Sequence, residues 1–323
     1  GLGGHEEGAG PDRQRPPLKI SVSLSYNLSE PLTYRAADGE GLRPGSRVLV
    51  PLGRRAVLGW VLDLDSPYRG KLKDILGVVD DPFIPGADLL AFARLAAAAY
   101  FASAGALLDH CLPPSQKGAK GLRISGSERR LADVAVDELA RLAAAAPLRL
   151  RFRKPSEPAP EPAAPQPREA ERRLLLDGDP GAEYRRACDE ALRRGQSVIL
   201  VVPDAATAEH WRERLAGVEP FQARLAAAAR ETLWRDCRRG RPKIVCGGLA
   251  ALALPLAAPG LVILDRAASP LYARTPGSPF RLDHLAELRA RGAGVPLLAG
   301  ALSHSPSSYE RRHEPTVADR RPA

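Results

Sequence analysis

From Leu18 onward, apolar and polar residues alternate with a period of two. LKISVSLSY (18–26), SRVLVPLG (46–53) and AVLGWVLDLD (56–65) all carry the pattern, with Gly and Pro between them. That period puts successive side chains on opposite faces of a strand, so this stretch predicts a small barrel or sandwich of short strands. The period then lengthens. In ADLLAFARLAAAAYFASAGALLDHCLPP (87–114) apolar residues recur three and four positions apart, which predicts a helix that stops at the prolines.

The next region mixes signals. ERRLADVAVDELARLAAAAP (128–147) has a helical period, and LRLRFRK (148–154) alternates with Arg149, Arg151 and Arg153 on one face. PSEPAPEPAAPQPREAE (155–171) is a proline-rich spacer with too little apolar content for a core. Beyond it, strand and helix patterns take turns. SVILVVPD (197–204), KIVCGG (243–248), GLVILD (260–265) and VPLLAGAL (295–302) are short, almost wholly apolar strands. YRRACDEALRRG, AATAEHWRERLAG and ARLAAAARETLWRDCRRG are helical. Apolar strands alternating with helices predict a parallel sheet covered on both faces.

The organisation expected is therefore multidomain, α+β and α/β. Residues 1–17 read as a disordered N-terminus and 18–112 as a small β-rich domain. Residues 113–171 read as a winged-helix remnant with the Pro-rich linker, 172–310 as the α/β lobe, and 311–323 as a disordered tail.

Composition changes this picture only in part. Of 323 residues, 44% are hydrophobic and 26% charged, as in an ordinary globular chain. A formal charge of +9 favours a polyanionic partner. Residues 18–112 carry about ten charges of each sign, so the surplus lies in the later segments, where the arginines at 149, 151 and 153 could track a nucleic-acid backbone. Cys111, Cys188, Cys237 and Cys246 form no C-x-x-C pair, which argues against zinc and for free thiols in a reducing cytoplasm. No apolar run approaches a membrane span, and the N-terminus lacks the apolar core of a signal peptide.

One stretch raises a chemical question. LLLDGDPGAEYRRACDEALRRG (174–195) runs from an apolar strand through a glycine turn into a helix, the layout of a phosphate-binding loop. Yet no lysine and no hydroxyl follow the glycines, and Asp177 and Asp179 add negative charge where phosphates would sit.

Taken together and in order, several segments resemble the primosomal protein N′ (PriA) family of replication-restart helicases. EPLTYRA, GLRPGSRVLVPLGRRAVLGWVLDLD, KLKDILGVVDDPFIP and the helix ending in Leu-Pro-Pro are similar to that family's 3′-end-binding domain. GQSVILVVPD and RPKIVCGGLAALALPLAAPGLVILD are similar to its first RecA-like lobe. The resemblance implies a pocket for a DNA 3′-end at Leu32, Thr33, Gly53 and Lys73. In the family an aspartate usually stands where this chain has Thr33.

The resemblance also implies a degenerate nucleotide site at Gly178, Gly181 and Asp265. Where the family has Asp-Glu-Glu-His, this chain has Asp265, Arg266, Ala267 and Ala268, and its Ser-Ala-Thr motif is matched by Gly300, Ala301 and Leu302. The sequence ends where the family's second lobe and zinc insertion would follow.

The expectation is a cytoplasmic DNA-binding protein of replication restart without motor residues. It would need no cofactor, with ATP and Mg²⁺ binding only if the degenerate site still accepts them. Its partners would be stalled forks and single-strand/duplex junctions, with primosome or single-strand-binding proteins, and no membrane. The competing readings are an ATP-dependent helicase, and an interaction scaffold or truncated remnant.

Overall fold

A computed structural model describes residues 17–26, 28–36, 41–80, 83–117, 121–127, 129–152, 172–175, 179–221, 225–273, 280–300 and 316–317. Nearly all of the expected disordered ends and the whole Pro-rich spacer at 155–171 lie outside these residues, but within the tail expected to be disordered Thr316–Val317 form a short strand.

The first unit is built on strands β1 (Leu18–Leu24), β2 (Leu32–Ala36), β3 (Arg47–Leu52), β4 (Arg55–Asp63) and β5 (Gly77–Val79). β1 pairs antiparallel with β2 and β4, and β3 pairs antiparallel with β4 and β5. The segment just before β5 closes the circle. Arg35 N–H donates to Lys73 C=O at 2.9 Å, and Ile75 N–H donates to Arg35 C=O at 3.0 Å, so this chain crosses from β2 to β3. Ile20, Val22, Tyr34, Val48, Val50, Val57, Val61, Ile75 and Val78 fill the interior. The alternation in the sequence thus has its inward set in a small barrel, and its outward set is covered elsewhere.

The outer face of β1 and β4 is covered by α1 (Ala87–Tyr100) and α2 (Ala104–His110). The single helix expected over 87–114 is in fact these two. Phe101 takes a left-handed conformation (φ 50°) at the end of α1, and the Ser103 side chain then accepts the Ala106 N–H to start α2. A serine N-cap satisfies an otherwise orphan donor, which makes the restart favourable even without Gly or Pro at the break.

Residues 121–152, which fall in the segment read as a winged-helix remnant with linker, add β6 (Leu122–Ile124), α3 (Val136–Leu142) and β7 (Leu148–Phe152). β7 pairs parallel with β5 and antiparallel with β6, so these strands extend the first sheet, in the order β2-β1-β4-β3-β5-β7-β6.

The second unit contains β8 (Arg172–Leu175), α4 (Gly181–Arg193), β9 (Ser197–Val201), α5 (Ala205–Arg214), β10 (Val218–Pro220) and α6 (Ala227–Arg238). It continues with β11 (Ile244–Gly247), α7 (Leu249–Leu252), β12 (Pro259–Leu264), α8 (Leu282–Ala293), β13 (Leu297–Gly300) and β14 (Thr316–Val317). Its sheet runs β10-β11-β9-β12-β13-β8-β14 and every pairing is parallel. One apolar cluster packs on each face, as the near-continuous apolar strands require.

The two units share a core. Leu89, Phe92, Ala93 and Ala96 of α1 belong to the same cluster as Leu285, Leu288 and Ala293 of α8. A Cβ at Gly292 would stand 2.7 Å from the Phe92 backbone nitrogen, so only glycine lets α1 and α8 approach this closely. Between them Arg289, fully buried, donates through Nη2 to Asp88 Oδ2 at 2.7 Å and through Nε to the Leu252 C=O at 3.0 Å.

Candidate functional site

The residues singled out in the first unit gather on one rim of the barrel. β2 carries Leu32, half-buried against the interior, and Thr33, whose Oγ1 lies 2.7 Å from Ser66 Oγ. Lys73 is drawn alongside β2 by the backbone bond to Arg35, and its side chain is exposed. Arg35 in turn pairs with Asp74 (Nη2–Oδ2 2.7 Å), which holds the Asp74 carboxyl below the usual carboxylate range.

Gly53 sits at the tip of the β3–β4 hairpin with φ 59°, and nothing lies within 4 Å of where its Cβ would be. The backbone conformation asks for glycine there, and crowding plays no part. The Tyr34 hydroxyl fastens this hairpin to β2 by donating to the Pro51 C=O at 3.1 Å. The structure therefore brings Leu32, Thr33 and Lys73 together and ties the Gly53 hairpin to the same strand. Ser66, Tyr34 and Arg35 join that neighbourhood without having been singled out. The alternation in LTYRA does place residues 33 and 35 on one face.

Arg149 and Arg151 lie elsewhere. Both are exposed on β7, beyond β5 from the barrel strands, and Arg149 pairs with Asp80. Arg153 lies outside the described residues.

The second site lies at the carboxyl ends of the parallel strands, where ligands of such sheets bind. Gly178 lies outside the described residues. Gly181 opens α4, and its N–H donates to Asp179 Oδ1 at 2.9 Å. Asp179 also accepts from Arg214, and these two donors hold its carboxyl below the usual range. A helix N-terminus favours an anion, and here the chain's own carboxylate supplies it.

Tyr184, at the end of the first turn of α4, is fully buried and donates to Asp265 Oδ1 at 3.3 Å. Its ring packs on Trp211 with centroids 5.0 Å apart. A Cβ at Gly300 would stand 2.0 Å from the phenol oxygen, so glycine at 300 makes room for the Tyr184 hydroxyl. Asp265 is 2% exposed and follows β12, where its N–H donates to the Val201 C=O at 2.9 Å. The Tyr272 hydroxyl is shared between the backbone carbonyls of Val201 and Asp265.

Burial raises the Asp265 pKa above the ordinary carboxylate value, and Trp211, Arg266 and Tyr184 oppose that shift only in part. Oδ2 has no hydrogen bond, the closest charge being Arg266 Nε at 3.8 Å. Arg266 itself holds a left-handed backbone at φ 49°. Tyr184 and Trp211 were missed as site residues because an aromatic at helical spacing reads as core.

Among the described residues no group of three or more His, Cys, Asp or Glu could hold a metal ion, and no helix is long and apolar enough to cross a membrane. Burial pushes all four thiols up to about 12, which leaves them inert as nucleophiles.

Comparison with known proteins bears on the first unit above all. A family model for the PriA 3′ DNA-binding domain matches residues 20–113. The chain is 30% identical over 132 residues to the replication restart protein PriA of Chlamydia pneumoniae, covering 39% of this chain and 18% of that one. It is 28% identical over 150 residues to PriA of Synechocystis, covering 43% and 18%. Against PriA of Treponema pallidum it is 26% identical over 323 residues, covering 90% of this chain and 44% of that one. The chain thus spans less than half the length of each of these relatives. A crystal structure of the DUF1998 helicase MrfA bound to DNA aligns at 12% identity and a TM-score of 0.29, over 43% of this chain and 20% of the other, too slight a likeness to carry weight.

Proposed function

This chain belongs to the primosomal protein N′ (PriA) family, and on that premise we propose that it is a DNA-binding replication-restart protein whose α/β unit does not act as an ATP-driven motor. The observation that carries the first half is the match of residues 20–113 to a 3′ DNA-binding domain, with Leu32, Thr33 and Lys73 on one rim of that domain. A hydroxyl at Thr33 can bond a sugar hydroxyl, and the exposed Lys73 can neutralise a phosphate. The ligand is a forked or 3′-ended DNA.

The second half is supported by how the strand-end site is filled. A motor needs a lysine on the β- and γ-phosphates, a hydroxyl on Mg²⁺, and a carboxylate that orients water. Here the helix N-terminus is taken by Asp179, and Asp265 Oδ1 by Tyr184. Arg266 follows Asp265 where a catalytic acid would be needed. ATP and Mg²⁺ are accordingly no part of the proposal. Primosome or single-strand-binding proteins as partners, and a cytoplasmic location, follow from the family reading alone.

A fluorescence titration with forked DNA tests this reading, using free and blocked 3′-ends and the Lys73→Glu variant. The expected result is binding at about micromolar or tighter in low salt, weakening steeply as salt rises. Binding should be weaker for the blocked end and for the variant, with no DNA-stimulated phosphate release. Equal affinity for both ends would remove the pocket. Phosphate release that disappears in Asp265→Ala would restore the motor.

A further inference from the structure

The segment that leads up to Lys73 is a strap with an exposed aromatic at its centre. Residues 64–73 read LDSPYRGKLK, with Arg69, Lys71 and Lys73 against one acid, Asp65. Lys19 and Arg35 stand opposite each other in the β1–β2 pair. Ser66 N–H donates to the Lys19 C=O at 2.8 Å, and Arg35 N–H donates to the Lys73 C=O at 2.9 Å. Residues 66–73 therefore pass from the far side of β1 to the far side of β2, and both ends of the strap are fixed. At its start, Ser66 Oγ lies 2.7 Å from Thr33 Oγ1 and accepts the Tyr68 N–H at 3.5 Å. Tyr68 thus begins one hydroxyl away from Thr33, on the path to Lys73.

Gly70 sets the direction of the ring. A Cβ at Gly70 would collide with the Tyr68 hydroxyl oxygen and Cζ, so the side chain lies folded forward along the strap where glycine leaves room for it. Gly70 does not have a left-handed backbone, so an alanine there would disturb the ring and not the chain. Tyr68 stays 51% exposed, and among the described residues its ring stacks on no other aromatic and carries no cation. Arg69, Lys71 and Lys73 are exposed as well and, among the described residues, have no ion-pair partner. The neighbouring Asp63 and Asp74 are taken by Arg94 and Arg35. An open aromatic face among such cations suits a single nucleic-acid strand, whose bases stack on the ring while the cations follow its phosphates.

We propose that the base of the 3′-terminal nucleotide stacks on Tyr68, with Gly70 keeping the ring in place. This deepens the 3′-end reading above and rests on it. Thr33 meets the sugar, Lys73 the phosphate, and Tyr68 the base that projects from the same nucleotide. Every base has a face to stack, so the platform accepts any terminal base and adds affinity without reading sequence.

The test is a titration of the full chain with forked DNA carrying one of three 3′-ends. One end is ordinary, one has an abasic terminal nucleotide that keeps its 3′-hydroxyl, and one is blocked. Tyr68→Ala is expected to weaken binding to the ordinary end by roughly tenfold or more, and Tyr68→Phe, which keeps the ring, to bind like the wild type. The wild type should lose a similar factor on the abasic end. Tyr68→Ala should bind ordinary and abasic ends alike, because both changes remove the same stack. Gly70→Ala should fall between wild type and Tyr68→Ala, since its ring is displaced but present. None of these variants alters charge, so the slope of log K against log salt should keep its wild-type value.

Tyr68→Ala binding the ordinary end as tightly as the wild type, with the preference for a free over a blocked end intact, would overturn the stacking contact and leave the 3′-end pocket standing. A loss in Tyr68→Ala that is equally large on the abasic end would overturn it too, since a contact made without the base is no stack. A wild type that does not distinguish free from blocked ends would overturn the pocket, and this role for Tyr68 with it.

Discussion

The Tyr184 hydroxyl donates to Asp265 Oδ1 across 3.3 Å, joining the first turn of α4 to the end of β12 at the mouth of the parallel sheet. A phenol in that position gives one carboxylate oxygen a donor from within the fold, while Oδ2 has no hydrogen bond. Tyr184→Phe leaves a buried acceptor without its donor and is expected to cost about 1–3 kcal/mol. Tyr184→Ala removes the ring that packs on Trp211 and is expected to cost about 3–5 kcal/mol through the cavity it leaves. Urea unfolding checks both values. Neither variant should gain tight nucleotide binding, because the residues of a phosphate grip are missing as well.

Asp265 should make stability depend on pH. Its pKa in the fold lies above the ordinary value of 3.8, chiefly through burial, so the fold favours the protonated form. The stabilisation from this group is then complete below about 3.8 and is lost as pH rises through the raised native value. At neutral pH the ionised carboxyl is a burden. Asp265→Asn is expected to raise the melting temperature at pH 7, and the gap from wild type should close as pH falls to 4. Melting curves across that window decide it. A variant less stable than wild type at every pH would mean that the charge itself is needed by the fold.

Much of this architecture was legible because each segment has one face to bury. LKISVSL, RVLVPL and RAVLGWVLD alternate in sequence and form β1, β3 and β4, and the apolar runs around Ile199, Val245 and Ile263 form the parallel strands. Barrel closure was not legible, since it rests on two backbone bonds between Arg35 and the chain at 73–75, which leave no mark in hydrophobicity. The break at Phe101 was hidden for a related reason. An unbroken apolar period ran across it, and only Ser103 as a capping residue hinted at the second helix. In the strand-end site, Asp265 was marked by the family resemblance, whereas Tyr184 is an aromatic on a helix and only the fold reveals what its hydroxyl meets.

The buried pair Arg289–Asp88 joins the units through a contact that hydrophobic packing alone would not specify. Removing one partner strands the other in the shared core. Arg289→Ala is therefore expected to cost about 3–5 kcal/mol, while Arg289→Met combined with Asp88→Leu should recover most of the loss. Unfolding followed through Trp60 in the barrel unit and Trp234 in the α/β unit should coincide in the wild type, because both side chains belong to one core. In Arg289→Ala the two signals should separate. If the single and double variants lose the same stability, the pair contributes through shape and not through charge.

Thr33 offers the sharpest test of the rim. Its hydroxyl lies 2.7 Å from the Ser66 hydroxyl, so a carboxylate in its place would accept from Ser66 and still present a free oxygen outward. A hydrogen bond to a charged acceptor is worth about 1.5–3 kcal/mol against about 0.5–1.5 kcal/mol for a neutral one, a gain of about 1 kcal/mol where the bond is made. Thr33→Asp is expected to raise the preference for a free over a blocked 3′-end by roughly fivefold. The added negative charge should slightly weaken binding to duplex without an end, and the salt slope should stay the same. A variant that binds free and blocked ends with unchanged preference would show that the terminal sugar does not sit beside β2, and the pocket would then have to be sought elsewhere on the barrel.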